Sequence, residues 1–238
     1  MKKNYEMDMC SGPILGKLLT FTIPLIFSGI LQLLFNAADV IVVGRFAGSQ
    51  SLAAVGSTTA LINLMINIFI GLSVGVNVIV ARYYGAKREK DVQDTIHTAM
   101  ALSIVSGLFL IIVGQLLSRP MLELMGTPDD VIDKSTIYMR IIFIGMPANM
   151  IYNFGSAILR AVGDTKRPLY FLTAAGVINV VLNLFFVIMF RMDVAGVALA
   201  TAISQAISAF LVILCLMESE GSLKLHLKDL KIHRSKFR

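Results

Sequence analysis

Residues 31–46 read LQLLFNAADVIVVGRF, an apolar run interrupted by one carboxylate, Asp39. Two kinds of chemistry suit such a group: its oxygens can hold a hard cation, or it can take up and release a proton. Gln32, Asn36 and Asp39 fall at i, i+4 and i+7, which puts them on one helical face. Similar spacing recurs along the chain. Asn63 and Asn67, Asn149 and Asn153, and Asn179 and Asn183 are each four apart, with Asn77 beyond the first pair. Thr201, Ser204, Gln205 and Ser208 mark one side of a later apolar run.

The elements that must position these side chains follow from composition. The chain is 56% hydrophobic and 15% charged, with a mean hydropathy of +0.78. A soluble domain carries about 25% charged residues. The charges gather in short blocks, and between them lie apolar runs of about 20 residues, enough to cross a ~30 Å hydrocarbon core as a helix. These predict an all-α integral membrane protein with six transmembrane helices, near 18–43, 54–80, 95–117, 136–160, 169–190 and 194–217. None shows the period-two alternation of a barrel strand. The first run is too long for a signal-peptide core and reads as a retained span. TPDD at 127–130 reads as a helix start, with Thr127 as cap, Pro128 in the first turn and two acids at the positive end of the dipole. Pro24 and Pro147 permit kinks inside the first and fourth spans.

Orientation follows from Lys and Arg. Lys2, Lys3 and Lys17, then Arg82, Lys87, Arg88 and Lys90, then Arg160, Lys166 and Arg167, and finally the tail's cations share one side. Arg45, Arg119, Lys134, Arg140 and Arg191 share the other. The positive-inside rule makes both termini cytoplasmic, in agreement with an even number of spans. In the tail, SLKLHLKDLKIHRSKFR, Leu223, Leu227 and Leu230 repeat at i, i+4 and i+7. That pattern fits an amphipathic helix on an anionic leaflet, and equally a solvated linker.

In this solvent Asp39 is expensive. A carboxylate at the centre of a span costs about 2.5–3.5 kcal/mol and normally faces a bundle interior or a wet cavity. Asp39 also lies near the end of its span, where it could snorkel to the interface. The polar stripes carry two readings as well, a shared aqueous chamber or interhelical hydrogen bonds worth ~0.6 kcal/mol each.

The remaining signals exclude more than they add. A net charge of +6 sits at span ends, which suits membrane orientation and not nucleic acid. Cys10 and Cys215 suggest no disulfide, and His97, His226 and His233 have no partners at metal-ligand spacing. No Walker loop, dinucleotide fingerprint or nucleophile elbow is present, so neither an enzyme nor a cofactor is expected.

Several stretches together carry a resemblance that covers essentially the whole chain: IPLI (23–26), NAADVIVVGRFAGSQSLAAVG (36–56), ARYYGAKREKDV (81–92), LRAVGDTKRPL (159–169), NVVLNLFFV (179–187) and VAGVALATAIS (194–204). In this order they resemble the multidrug and toxic compound extrusion (MATE) family of cation-coupled efflux antiporters. The resemblance implies one lobe, residues 1–217, of a two-lobe, twelve-helix antiporter fold, followed by a basic cytoplasmic inter-lobe linker at 218–238. The second lobe is absent, which leaves a fragment or a half-transporter needing a second lobe or a second copy. The resemblance further implies export of amphipathic or cationic compounds in exchange for H⁺ or Na⁺, from a bacterial or archaeal plasma membrane. In prokaryotic relatives an aspartate of the first helix, an asparagine and an aspartate four apart on the fifth, and a threonine of the sixth hold the ion. Asp39, Asn179 and Thr201 match three of these. Asn183 stands where the second aspartate is usual, which removes a charge, weakens the site for Na⁺ and favours a proton on Asp39. Gln32, Asn36 and Asn153 are candidates for the substrate cavity, and no metal is expected beyond Na⁺ at Asp39.

Two rival readings remain on sequence alone. Related folds flip lipid-linked precursors, but these need cavity cations to hold pyrophosphate, and no Lys or Arg lies deep in a span. A lone lobe could also be a non-transporting membrane interaction protein.

Overall fold

The computed structural model describes residues 14–226 and residue 230. All regular elements among the described residues are helical, as hydrocarbon requires, since each backbone N–H and C=O there must be satisfied within its own segment. The chain runs through α1 (Ile14–Phe46), α2 (Ser49–Gly85), α3 (Glu89–Leu124), α4 (Asp129–Ile144), α5 (Met146–Ala161), α6 (Lys166–Leu184) and α7 (Asp193–Glu218). A π-helical turn, Phe185–Met189, extends α6, and a single 3-10 turn, Gly221–Leu223, follows α7.

Five helices, counting the π turn with α6, are long and apolar enough to cross a bilayer. The predicted fourth span is a pair, α4 and α5, that meets at 47°. Pro147 explains the break, because it cannot donate to a preceding carbonyl and its ring disfavours helical backbone just before it. Gly107 on α3 receives the bend: a Cβ there would lie 2.4 Å from Pro147 Cα. By contrast, α1 continues unbroken through Pro24. The helix start at TPDD differs from expectation too. Pro128 is the cap residue, and its carbonyl accepts from Val131 and Ile132 N–H at 3.0 Å, while no side chain caps the helix. Asp129 and Asp130 occupy the first turn as predicted.

The central element is α5, packed on α2, α3 and α7, with Met150, Phe154, Ile158 and Leu159 fully buried. α6 packs on α7 and carries α1 on its other side. α1 touches little else, and Ile14, Leu15, Leu34 and Ile41 are among its many exposed apolar side chains. Such a face suits acyl chains or another apolar surface.

The turn into α6 is closed by Asp164, which is fully buried. Its Oδ1 accepts the N–H groups of Lys166 (3.2 Å) and Arg167 (3.1 Å), and its Oδ2 takes Arg167 Nε. Beyond α7 the described chain is not an amphipathic helix. Gly221 has φ +64° and Lys224 is extended, so Leu223 begins no helical repeat. Leu223 and Leu225 are buried in the core, and Leu225 N–H returns to Leu216 O at 3.0 Å. Lys2, Lys3, Cys10, Leu227 and His233, with the rest of the tail's cationic pattern, lie outside the described residues.

Candidate ion and substrate site

Asp39 reaches its partners because α1 lies close against α6. Gly176 permits the approach: a Cβ at that position would lie 1.9 Å from the Phe35 ring. One turn beyond Phe35, Asp39 Oδ1 accepts a hydrogen bond from Asn183 Nδ2. Asn183 Nδ2 also donates to Asn179 Oδ1 (3.2 Å), and Asn179 Nδ2 donates to Thr201 Oγ1 (3.3 Å). Thr201 Oγ1 in turn donates to Val197 O at 3.0 Å. α1, α6 and α7 are thereby joined by one chain of polar groups, and Asn179 and Asn183 are buried. Asp39 does not snorkel outward.

The orientation of the Asn183 amide follows from its partners. Both Asp39 Oδ1 and Asn179 Oδ1 are acceptors, so the amide nitrogen must face them. Its own oxygen is then left buried without a hydrogen-bond partner among the described residues. A buried acceptor of this kind costs about 1–3 kcal/mol, which a proton donor or a cation would recover.

Asp39 stands at the wall of an open cavity of about 520 Å³. Gln32 and Asn36 of α1 line it, with Asn63 and Asn67 of α2, Asn149 and Asn153 of α5, and Thr201 and Gln205 of α7. Four of the five polar stripes therefore open onto one chamber. The fifth, on α6, does not line it and instead backs Asp39 from behind. The interhelical reading holds for Asn77, whose Nδ2 donates to Ala157 O at 2.8 Å and ties α2 to α5. Ser204 and Ser208 bond to carbonyls of their own helix. Asn153 donates to Asn149 Oδ1 at 2.8 Å, so this pair of cavity amides is already coupled.

Sequence reasoning missed Tyr138 and Thr59, which also line the cavity. For Tyr138 the signal was present. Tyr138, Ile142, Gly145, Asn149 and Asn153 keep one face at helical spacing, and all five line the cavity across the bend. His97 and His226, which have no partners at metal-ligand spacing in the sequence, stack with ring centroids 6.3 Å apart.

A helical bundle with lipid-suited outer faces, a polar chamber and one partly buried carboxylate at its wall defines a multi-pass membrane transport protein. The MatE family model matches residues 24–185, and the chain belongs to this family of multidrug efflux transporters. It is 35% identical over 198 residues to the probable multidrug resistance protein YoeA of Bacillus subtilis, covering 82% of this chain and 42% of the relative. With the probable multidrug resistance protein YpnP of the same organism it shares 32% identity, over 84% of this chain and 45% of the relative. Among solved structures, a MATE transporter in the bent conformation matches with a TM-score of 0.86 at 25% identity, over 93% of this chain and 49% of that one. The chain spans about half the length of the curated relatives it matches.

Proposed function

We propose that this chain forms one lobe of a cation-coupled antiporter that exports amphipathic or cationic compounds. Residues 1–217 make the lobe and 218–238 begin a cytoplasmic linker to a second lobe, or the lobe pairs with a second copy. The observation that carries the reading is the position of Asp39, at the cavity wall on one side and hydrogen-bonded to Asn183 on the other. An ion taken up there alters the wall that a substrate touches, and this is the linkage that exchange needs.

Asp39 is the group that takes the ion, with Asn179, Asn183 and Thr201 supplying neutral oxygens and donors behind it. One carboxylate among amides suits a proton better than Na⁺, which prefers several anionic oxygens. Gln32, Asn36 and Asn153 contact the substrate, and aliphatic side chains such as Leu33, Val55 and Ile62 between them receive its apolar part. Proton uptake on Asp39 from outside reorders the bonds to Asn183, α1 shifts on α6, and the substrate leaves; proton loss to the inside resets the lobe. The orientation that places both termini in the cytoplasm rests on the Lys and Arg distribution.

The lipid-precursor flippase reading is disfavoured by the cavity lining, which among the described residues includes no Lys or Arg. The test is efflux of a fluorescent lipophilic cation from vesicles that hold the whole transporter containing this lobe, driven by an imposed pH or Na⁺ gradient. Wild-type coupling in the Asp39→Asn protein would overturn the assignment.

A further inference from the structure

Far from the cavity, the segment that follows α7 folds back on the beginning of α3. Leu223 and Leu225 are buried, Leu225 N–H bonds Leu216 O at 3.0 Å, and His226 N–H donates to His97 Nε2 at 3.1 Å. The rings of His97 and His226 lie parallel, within 5°. Residues 221–226 therefore form a strap between the end of α7 and α3, and its last described hydrogen bond ends on an imidazole.

The two bonds of that imidazole define its protonation state. His97 Nδ1 lies 2.8 Å from Gln93 O, and a carbonyl can only accept, so Nδ1 carries the hydrogen. Nε2 accepts from the His226 main chain and must be bare. Both nitrogens are engaged, and the ring is 4% exposed. A second proton would set Nε2–H against the His226 N–H, donor against donor. Protonation of His97 therefore opposes the bond that ties the strap to α3.

Other charged groups lie at this end of the bundle. Arg88 pairs with Asp91 at 2.6 Å and sits over the Tyr83 ring at the end of α2. Asp94 lies one turn before His97 on α3, and Glu218, Glu220 and Lys224 flank the strap. At the end of α5, Arg160 Nε bonds Ser156 O in its own helix at 3.1 Å.

We propose that His97 is a proton-operated latch, which holds the 221–226 strap on α3 when neutral and releases it when charged. The latch acts at the end of the lobe where the chain leaves α7. Neither His97 nor the strap lines the cavity at Asp39.

The test is hydrogen exchange of the full chain in lipid nanodiscs at pH 8 and pH 5, corrected for the intrinsic pH dependence of exchange. The Leu225 and His226 amides are expected to exchange at least about tenfold faster at pH 5. His97→Gln keeps a donor and an acceptor without titrating and should hold the strap at both pH values. His97→Phe keeps a ring without an acceptor and should leave it loose at both. His226→Ala retains the main-chain donor and should preserve the pH response. Equal wild-type protection at both pH values, or a pH response in His97→Gln as large as in wild type, would overturn the proposal. So would its loss in His226→Ala.

Discussion

Asn183 on α6 donates its side-chain N–H to Asp39 Oδ1 on α1, joining residues 144 positions apart in the sequence. The contact does two things at once. It completes the polar chain that ends at Thr201, and it adds a polar tie to a helix otherwise held largely by apolar packing on α6. The Asp39 carboxylate and the seating of α1 are thus coupled through one amide.

Replacing Asp39 by asparagine separates these two roles. The substituted amide keeps an oxygen that can accept from Asn183, so folding free energy should change by no more than about 1 kcal/mol. Gradient-driven efflux should be lost while binding of a lipophilic cation persists. Vesicle transport read beside fluorescence binding makes the separation visible, and loss of both together would mean that Asp39 serves structure alone.

Asn183→Asp should create a Na⁺ site. Two carboxylates in hydrogen-bond contact cannot both ionise cheaply unless a proton or a cation lies between them. At neutral pH without Na⁺ the variant should melt below wild type, and it should recover on acidification as the pair takes up a proton. Na⁺ at 100 times its dissociation constant should add about 2.7 kcal/mol to stability. Thermal unfolding in NaCl against choline chloride checks this, and identical curves would show that the second charge builds no site.

Much of the cavity wall and of the contacts around Asp39 was legible in the sequence, for a physical reason. A carboxylate in an apolar span is costly enough to demand a partner, and i, i+4 spacing fixes which residues share its face. What the spacing does not say is what lies opposite that face. The Asn179–Asn183 stripe looked like chamber lining and turned out to back Asp39 from behind, and Asn77 became a tie to Ala157. The break at Gly145 was foreshadowed by Pro147, whereas the bend that resulted depends on Gly107 of another helix. His97 and His226 are 129 positions apart, and no local pattern relates them.

Gly107→Ala tests the seat of the broken span. Its Cβ would meet Pro147 Cα and N, at 2.4 and 2.9 Å, and backbone atoms cannot turn aside as a flexible side chain can. Overpacking of this kind costs about 1–3 kcal/mol. Gly71→Ala is the matched control, because a Cβ there meets nothing within 4 Å. It should be neutral or add up to about 1 kcal/mol through helix propensity. Melting temperatures of the two variants in one detergent should move in opposite directions, or only the first should fall. Equal shifts would remove the role assigned to Gly107.

At the opposite end of the bundle from the strap, Lys134 Nζ donates to Asp193 Oδ2 at 2.6 Å and to Ser51 Oγ at 3.1 Å, joining α4, α7 and α2. Both charged side chains are about one-third exposed, at 34% and 33%, so water screens the pair and its coupling should stay below about 1 kcal/mol. Asp193 also has φ +54°, a left-handed backbone that Asn and Asp tolerate better than Ala. Asp193→Asn should therefore cost only the ion pair, and Asp193→Ala should cost about 1 kcal/mol more. A double-mutant cycle with Lys134→Met isolates the charge contribution, which should shrink as salt rises. If Asp193→Ala and Asp193→Asn melt together, the backbone at the start of α7 carries no strain that the side chain relieves.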